Sequence, residues 1–181
     1  MKPKLLLHCC CAPCATYPIR ILSEIFDVTA FFYNPNIYPE SEYLARLLEI
    51  QKLSQQWQFP LIVGPYESTI WEEQIRGHEN DPEGGARCVL CYQLRLQKTA
   101  FQAKESHMDY FTTTLSISPH KNADQINAIG EAIASQQGIS FYSANFKKKD
   151  GFKKSCELSK QEGLYRQNFC GCQYSRRNSH D

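Results

Sequence analysis

Four cysteines lie close together near the start of the chain, in residues 8–14 (HCCCAPC). They follow the apolar residues 5–7, which predicts that they lie where a buried strand ends. Neighbouring residues on an extended chain point to opposite faces, so three adjacent cysteines cannot all be core residues. Clustered thiolates suit zinc, copper or iron–sulfur groups. We therefore interpret this segment as a reactive or metal-binding site rather than as buried structural cysteines, the common role of a lone cysteine.

Two further cysteine pairs lie far apart in the sequence. Cys88 and Cys91 form a CxxC pair, and Cys170 and Cys172 form a CxC pair. Either pair alone is a weak signal, but together they supply four thiolates, enough for a tetrahedral zinc or for one [4Fe–4S] cluster. A zinc that ties the end of the chain to the body is one hypothesis. We favour the cluster, because a separate thiol-rich segment accompanies these pairs and redox chemistry needs an electron relay.

The composition is that of a globular chain: 181 residues, 42% apolar and 22% charged, which predicts one domain. The first residues contain neither a secretory signal nor a membrane span, so we expect a cytoplasmic protein that does not contact a membrane. Nine cysteines without such a signal indicate metal binding or thiol–disulfide redox chemistry in a reducing compartment. Cys156 stands apart from the others, and we expect it to be structural.

The charges are distributed unevenly along the chain. Residues 147–181 contain nine Lys or Arg and four Asp or Glu, whereas the rest of the chain is net acidic. A basic end on an acidic body is typical of a surface that faces phosphate groups, although a solvated lysine-rich face has the same composition. The charges alone favour neither interpretation.

Strand and helix signals alternate along the chain. Short apolar runs predict strands at residues 4–8, 28–33, 60–63, 110–115 and 139–142. Helical spacing of apolar residues predicts helices at residues 15–26, 42–57, 68–76, 88–104 and 123–137, with Pro18 in a first turn. Residues 78–86 predict a polar, Gly-rich surface loop, for which both order and disorder are compatible with the sequence when nothing is bound. The pattern indicates an α/β fold: a doubly wound, mostly parallel five-stranded sheet in a single domain, residues 1–181, with the basic, Cys-rich C-terminal segment 147–181 packed on it.

A doubly wound sheet has a crevice where the strand order reverses, at the carboxyl ends of two non-consecutive strands. These are usually the first and the fourth. Here the first strand would end at the clustered cysteines, and the fourth would lead into residues 112–116, followed by Ser118, Pro119, His120 and Lys121. Two chemically unusual loops would therefore face one crevice.

Five motifs resemble those of the cobalamin-independent epoxyqueuosine reductases of the QueH type, and they occur in the same order over nearly the whole chain. They are HCCCAPC at residues 8–14, RCxxCYxxRL at 87–96, TTLxxSPHK at 113–121, NFKKKDGF at 145–152 and LYRQxFCGC at 164–172. Members of that family reduce the epoxide of epoxyqueuosine to queuosine in the anticodon of certain tRNAs. The resemblance implies a Rossmann-like fold similar to the nucleotide α-hydrolase-like domains, without their Gly-rich ATP loop, which this sequence also lacks.

The resemblance also implies two metal sites. It assigns a [4Fe–4S] cluster to the second thiol set, our name for Cys88, Cys91, Cys170 and Cys172. It assigns a second, mononuclear metal, iron by preference, to the first thiol set, our name for Cys10, Cys11 and Cys14. For Cys9 we see no reason for a fourth thiol at that site.

Removing an epoxide oxygen to leave an alkene takes two electrons and two protons and releases water, and no side chain supplies such electrons repeatedly. A metal beside the cluster could bind the epoxide oxygen as a Lewis acid. We predict that Cys10, Cys11, Cys14 and His120 are catalytic. His8, Tyr92 and Lys121 are weaker proton-donor candidates, and for each an ordinary hydrogen-bonded role is favoured. An electron donor is required, either a protein or a small reductant, and no motif identifies it.

The expected partner is tRNA with a queuosine-type anticodon, whose bases can be splayed out and stacked. We predict phosphate or substrate contacts from Lys148, Lys149, Lys153, Arg166 and Arg176. The aromatic residues among these cations, Phe146, Phe152 and Tyr174, could stack on bases, and core packing is expected for one or two of them.

Two alternative functions differ from this prediction. A zinc-stapled RNA-binding module without catalysis would be colourless where a cluster protein is brown. An ATP-dependent tRNA thiolase of related fold would need a phosphate-binding Gly-rich loop after the first strand, and residues 9–14 contain no glycine.

Overall fold

Five short apolar segments form one parallel sheet in the computed structural model, which describes residues 2–175. The strands are β1 (Lys4–His8), β2 (Asp27–Phe32), β3 (Leu61–Val63), β4 (Tyr110–Thr113) and β5 (Ser140–Phe141). Their order is β3-β2-β1-β4-β5, and every neighbouring pair is parallel. The strand order reverses between β1 and β4, so the crevice lies where the sequence predicts it. The sheet is wholly rather than mostly parallel.

Helices cover both faces of the sheet. They are α1 (Ala12–Leu22), α2 (Glu40–Trp57), α3 (Ser68–Gln74), α4 (Ala86–Glu105), α5 (Ala123–Gln137) and α6 (Gly151–Gln161). Alternate residues of β1 enter two separate cores, because neighbouring side chains of a strand point to opposite faces. Leu5 and Leu7 belong to one core, while Leu6 packs with Phe111 and Leu96 in the other. This arrangement confirms the predicted doubly wound α/β fold.

Helix α1 begins three residues earlier than predicted, at Ala12. Cys11 is its N-cap residue, because its sulfur accepts a hydrogen bond from the backbone N–H of Cys14, and Pro13 suits the first turn. Pro18 consequently lies inside the helix rather than in its first turn, contrary to the prediction. The helix also ends early, at Leu22, so Ile25 is 50% exposed instead of buried.

The fourth strand is shorter than predicted. It ends at Thr113, and a 3-10 turn, Thr114–Ile117, follows. The Thr113 hydroxyl accepts a hydrogen bond from the backbone N–H of Leu115, which starts the turn. This turn brings Thr114 next to the cysteines that follow β1.

The loop predicted at residues 78–86 is held in place by Arg87, which is 2% exposed. Its Nη1 donates to the carbonyl oxygens of His78, Glu79 and Asp81. The Asp81 carboxylate in turn accepts from the backbone N–H of Arg87. These contacts hold the three loop carbonyls against the start of α4.

The C-terminal segment packs on the body through α6, which lies against α1. Ser155 of α6 donates to the carbonyl oxygen of Pro13. Gly151 lets the start of α6 approach α1, since a Cβ there would lie 2.8 Å from the ring of Tyr17. The predicted extent of the segment, residues 147–181, stays a prediction, because residues 176–181 lie outside the described part of the chain.

No helix among the described residues is long and apolar enough to cross a membrane.

Candidate functional site

The first thiol set lies at the carboxyl end of β1 and in the first turn of α1. The sulfur atoms of Cys10, Cys11 and Cys14 all lie within 4.8 Å of one another. A tetrahedral site with metal–sulfur bonds of about 2.3 Å places its sulfurs roughly 3.8 Å apart, so this spacing fits a single metal ion. Thr114 supports the group from the neighbouring strand end: its hydroxyl accepts from the Cys10 N–H (3.2 Å) and donates to the Cys10 sulfur (3.5 Å).

Within the first thiol set, the negative charge is concentrated on Cys10. Hydrogen bonds from Cys11 and Cys14 hold the pKa of the Cys10 thiol well below its usual range, and the Arg95 guanidinium contributes in the same direction. The same hydrogen bonding to Cys10 raises the pKa of Cys11 to about 12, and it also raises that of Cys14. Cys10 is therefore the thiol of the set that ionises most easily. A metal ion binds thiolates, so binding to all three cysteines would release the protons of Cys11 and Cys14.

Cys9 and His8, the neighbours of this set, are core residues. Cys9 is fully buried in the core, and its thiol donates to the carbonyl oxygen of Leu7. His8 lies with Nδ1 2.9 Å from the Thr113 hydroxyl and Nε2 3.0 Å from the Tyr33 carbonyl oxygen. Burial, followed by the charge of Arg95, lowers the pKa of His8 to about 3, so the ring is neutral and donates from Nε2. His8 thus has hydrogen-bonded partners, as in the role that the sequence favours for it, and Cys9 packs in the core.

The fold brings the second thiol set together from two distant parts of the chain. Cys88 and Cys91 lie in the first two turns of α4, and Cys170 and Cys172 lie in the loop after α6. All four line one small cavity, together with Trp71 and other side chains. The predicted convergence of the two pairs is therefore present in the structure, although their role as ligands stays a prediction.

The spacing of the second thiol set differs from that of the first. Among the described residues, one group of three cysteine sulfurs lies within 4.8 Å of one another, namely Cys10, Cys11 and Cys14. No three sulfurs of the second thiol set lie that close together. This wider spacing does not fit a preformed tetrahedral zinc. The cavity has room for roughly one water, and all four thiols are at its wall.

Arg46 holds the loop that contains Cys170 and Cys172. It is 2% exposed, is paired with Glu42 at 2.7 Å, and donates to the carbonyl oxygens of Cys170 and Phe169 at 3.0 and 3.2 Å. A buried guanidinium with these partners fixes the loop through its backbone. Sequence reasoning missed this residue, because an arginine in an amphipathic helix carries no signal of burial.

The glycine between the two cysteines has a positive φ of +106°, and an added Cβ would lie 2.8 Å from Ile37. We therefore expect Gly171→Ala to lower the free energy of unfolding by about 2–4 kcal/mol, from backbone strain and overlap together. Gly163→Ala is the matched control: its φ is +62° but no atom lies within 4 Å, so strain alone acts. Thermal unfolding should show a fall in Tm of roughly 5–12 °C at position 171 and a clearly smaller one at position 163. Equal shifts would contradict the close packing of this loop.

Arg95 lies between the two thiol sets. It is 3% exposed, and it donates from Nη2 to Asn34 at 2.6 Å and from Nη1 to the Cys91 sulfur at 3.9 Å. Its charge acts on Cys10 and on Cys91, and it lines both the small cavity and the larger crevice. Arg95 belongs to the RCxxCYxxRL motif, and its position four residues after Cys91 on a helix is the signal that could have identified it.

A crevice of about 460 Å³ opens above the first thiol set, between it and the second. Cys10, Cys14 and Cys170 are at its walls, and His120, Lys121, Phe152 and Arg166 are among the residues that surround it. This volume lies in the range of small-molecule sites. The predicted catalytic residue His120 is thus at the crevice, as an exposed residue, while Tyr92 is buried and lines the small cavity instead.

Phe152 and Arg166 line the crevice, and the three predicted lysines lie within four residues of Phe152 in the sequence. Lys148, Lys149, Lys153 and Arg166 are all exposed, and the Arg166 guanidinium lies 5.9 Å from the centre of the Phe152 ring. Of the two other aromatic candidates, Phe146 is 4% exposed in the core, whereas Tyr174 is 40% exposed with Arg87 over its ring. The remaining predicted RNA contact, Arg176, lies outside the described residues.

Comparison with known proteins gives one consistent result. The family model described as "Epoxyqueuosine reductase QueH" matches residues 5–178. The chain is 37% identical to a protein of that name from Streptococcus pyogenes, over 97% of this chain and 71% of the relative. It is 40% identical to one from Acinetobacter baylyi, over 97% and 82%, and 38% identical to one from Dehalococcoides mccartyi, over 97% and 93%.

Proposed function

Because this chain belongs to the epoxyqueuosine reductase QueH family, we propose that it is an iron–sulfur reductase that converts epoxyqueuosine to queuosine at the wobble position of tRNA anticodons. Family membership confirms the resemblance carried by the five sequence motifs. The observation that supports the proposal most strongly is that two thiol sets flank one crevice of about 460 Å³. The direct test is conversion of epoxyqueuosine to queuosine in tRNA by anaerobic protein with a chemical reductant, measured by nucleoside mass spectrometry.

The donor chemistry of the two thiol sets fits the proposed cofactors. We assign a [4Fe–4S] cluster to the second thiol set, whose sulfurs are too widely spaced for one ion, and a single metal, iron by preference, to the first. When bound, these groups would supply electrons one at a time and a Lewis acid for the epoxide oxygen. Arg95, buried between the two sets, would balance the negative charge of the thiolates on both sides.

The crevice residues would bind the substrate and supply protons. The reaction breaks both C–O bonds of the epoxide, forms a C=C bond and releases the oxygen as water, so two protons must reach that oxygen. We propose His120, which lines the crevice beside Lys121, as a proton donor. Phe152 and Arg166, stacked at the mouth, would contact the flipped-out nucleoside or its neighbour.

The exposed lysines near the crevice would hold the tRNA phosphates. We expect the double reversal of Lys148 and Lys149 to Glu to weaken tRNA binding at least about tenfold at low salt and to reduce the slope of log Kd against log[salt] by roughly 1 to 2. Metal content should not change. Binding measured by fluorescence anisotropy at several salt concentrations tests this.

The matched control for that experiment reverses two lysines at the opposite edge of the sheet. Lys2 precedes β1 and Lys104 is in the last turn of α4, and both are exposed. Their double reversal to Glu makes the same change in net charge, so it should leave the binding nearly unchanged. An equal loss in both double variants would mean that overall charge, and not this surface, attracts tRNA.

The alternative is a zinc-stapled RNA-binding module without catalysis. It would require one zinc ion to draw together sulfurs that are widely spaced in this structure. Metal and acid-labile sulfide analysis of anaerobic protein separates the two. We further propose a cytoplasmic location, since all nine cysteines are free in the structure.

A further inference from the structure

Three buried polar atoms around the small cavity have no partner within hydrogen-bond distance, although the Trp71 N–H already faces the Cys91 thiol. They are Trp71 Nε1, Arg87 Nε and Asn36 Oδ1, in side chains that are 2%, 2% and 1% exposed. All three side chains line the cavity that the second thiol set also lines. An unpaired buried donor or acceptor costs about 1–3 kcal/mol, so two donors and one acceptor around one cavity indicate a ligand there.

The rest of each donor side chain is held in place, so neither N–H can turn to another partner. Arg87 is fixed by the three loop carbonyls that its Nη1 reaches and by the ring of Tyr174, 5.2 Å from its guanidinium carbon. Trp71 packs with Ile75, Cys91 and Cys172 in a cluster of its own. The two free N–H groups belong to a charged guanidinium and an indole, and an indole can only donate.

We propose that Trp71 Nε1 and Arg87 Nε donate hydrogen bonds to the sulfur atoms of the group held by the second thiol set, and so make its reduction easier. The proposal rests on the cluster assignment made above. An added electron increases the negative charge on the sulfurs, and N–H groups aimed at them stabilise that charge, which raises the reduction potential. Arg87 contributes a positive charge as well. Asn36 Oδ1 is an acceptor, so it donates no hydrogen bond to these sulfurs.

The test is Trp71→Phe, which keeps an aromatic ring in the packed site and removes the N–H. The chain has two tryptophans, and the other supplies the matched control. Trp57 is the last residue of α2, and its ring lies beneath Arg20. Trp57 lines neither the small cavity nor the crevice. Anaerobic, cluster-loaded protein should contain equal iron and sulfide in all three forms. A reductive titration should give a more negative midpoint potential for Trp71→Phe, and the wild-type value for Trp57→Phe.

A second measurement does not depend on how well Trp71→Phe folds. In the Trp57→Phe protein, Trp71 is the one remaining tryptophan, so an indole-¹⁵N label reports on it alone. Electron–nuclear double resonance of the reduced cluster should then show a ¹⁵N coupling and an exchangeable proton.

The outcomes distinguish this inference from the proposed function. Iron and sulfide in full amount, with unchanged midpoints and no ¹⁵N coupling, would overturn the hydrogen bonds but leave the reductase intact. Zinc without sulfide in anaerobic protein would overturn the cluster, and this inference with it. A lowered midpoint with a ¹⁵N coupling would establish Trp71 as a donor to the cluster.

Discussion

Alanine at Cys10 or at Cys11 is expected to abolish epoxide reduction, with a loss of about 10³-fold or more, while tRNA binding persists. Both thiols lie just after β1 and within 4.8 Å of Cys14; Cys10 lines the crevice, and Cys11 is buried directly behind it. Phosphate contacts dominate affinity for nucleic acid and lie elsewhere on the surface. Removing a group that acts only in the transition state slows the chemical step but leaves substrate binding intact. Single-turnover conversion of epoxyqueuosine, followed by nucleoside mass spectrometry, measures it.

Cys9→Ala is the matched control for these variants. Cys9 is the immediate neighbour of Cys10, but its thiol is fully buried and bonded to the Leu7 carbonyl oxygen. Its loss should cost about 1 kcal/mol of stability and leave turnover near the wild-type rate. The visible absorption of the cluster should be the same in all three variants. Normal turnover by Cys10→Ala or Cys11→Ala would show that this end of β1 is not the active site.

The second large effect is expected from alanine at any member of the second thiol set. Each such variant should lose most of its iron, its visible absorption and its activity, because one cluster uses all four thiolates. Cys88 and Cys91 are on α4, whereas Cys170 and Cys172 are on the loop held by Arg46. A single alanine variant in either pair should lose iron to the same extent. Iron and sulfide analysis with absorption spectroscopy of anaerobic protein tests all four.

Cys156→Ala is the control for this series. Cys156 is half-buried on α6 and lines neither the small cavity nor the crevice. Iron content and activity should stay at the wild-type level. Full cluster content in an alanine variant of one of the four would remove that residue from the ligand set. Loss of iron in Cys156→Ala as well would mean that the series reports stability rather than ligation.

The boundaries of two elements depended on single side chains that the apolar pattern does not weigh. Apolar runs predicted all five strands, and the crossover rule predicted the crevice between β1 and β4. The start of α1 was misplaced because Cys11, a residue seldom considered as a cap, accepts from the Cys14 N–H. The end of β4 was misplaced because Thr113 starts a 3-10 turn. These are local hydrogen bonds that hydrophobic periodicity does not record.

The sequence by itself determined the family, through five motifs, and the number and spacing of the cysteines predicted soft-metal sites. Tertiary structure alone decided which buried groups surround those thiols. Arg46, Arg95, Trp71 and Arg87 look like ordinary polar or aromatic helix residues, and each is at most 3% exposed. Their burial depends on contacts between elements far apart in the chain. A helical pattern identifies the face that turns inward, but the groups that this face meets depend on how the helices and loops pack around the sheet.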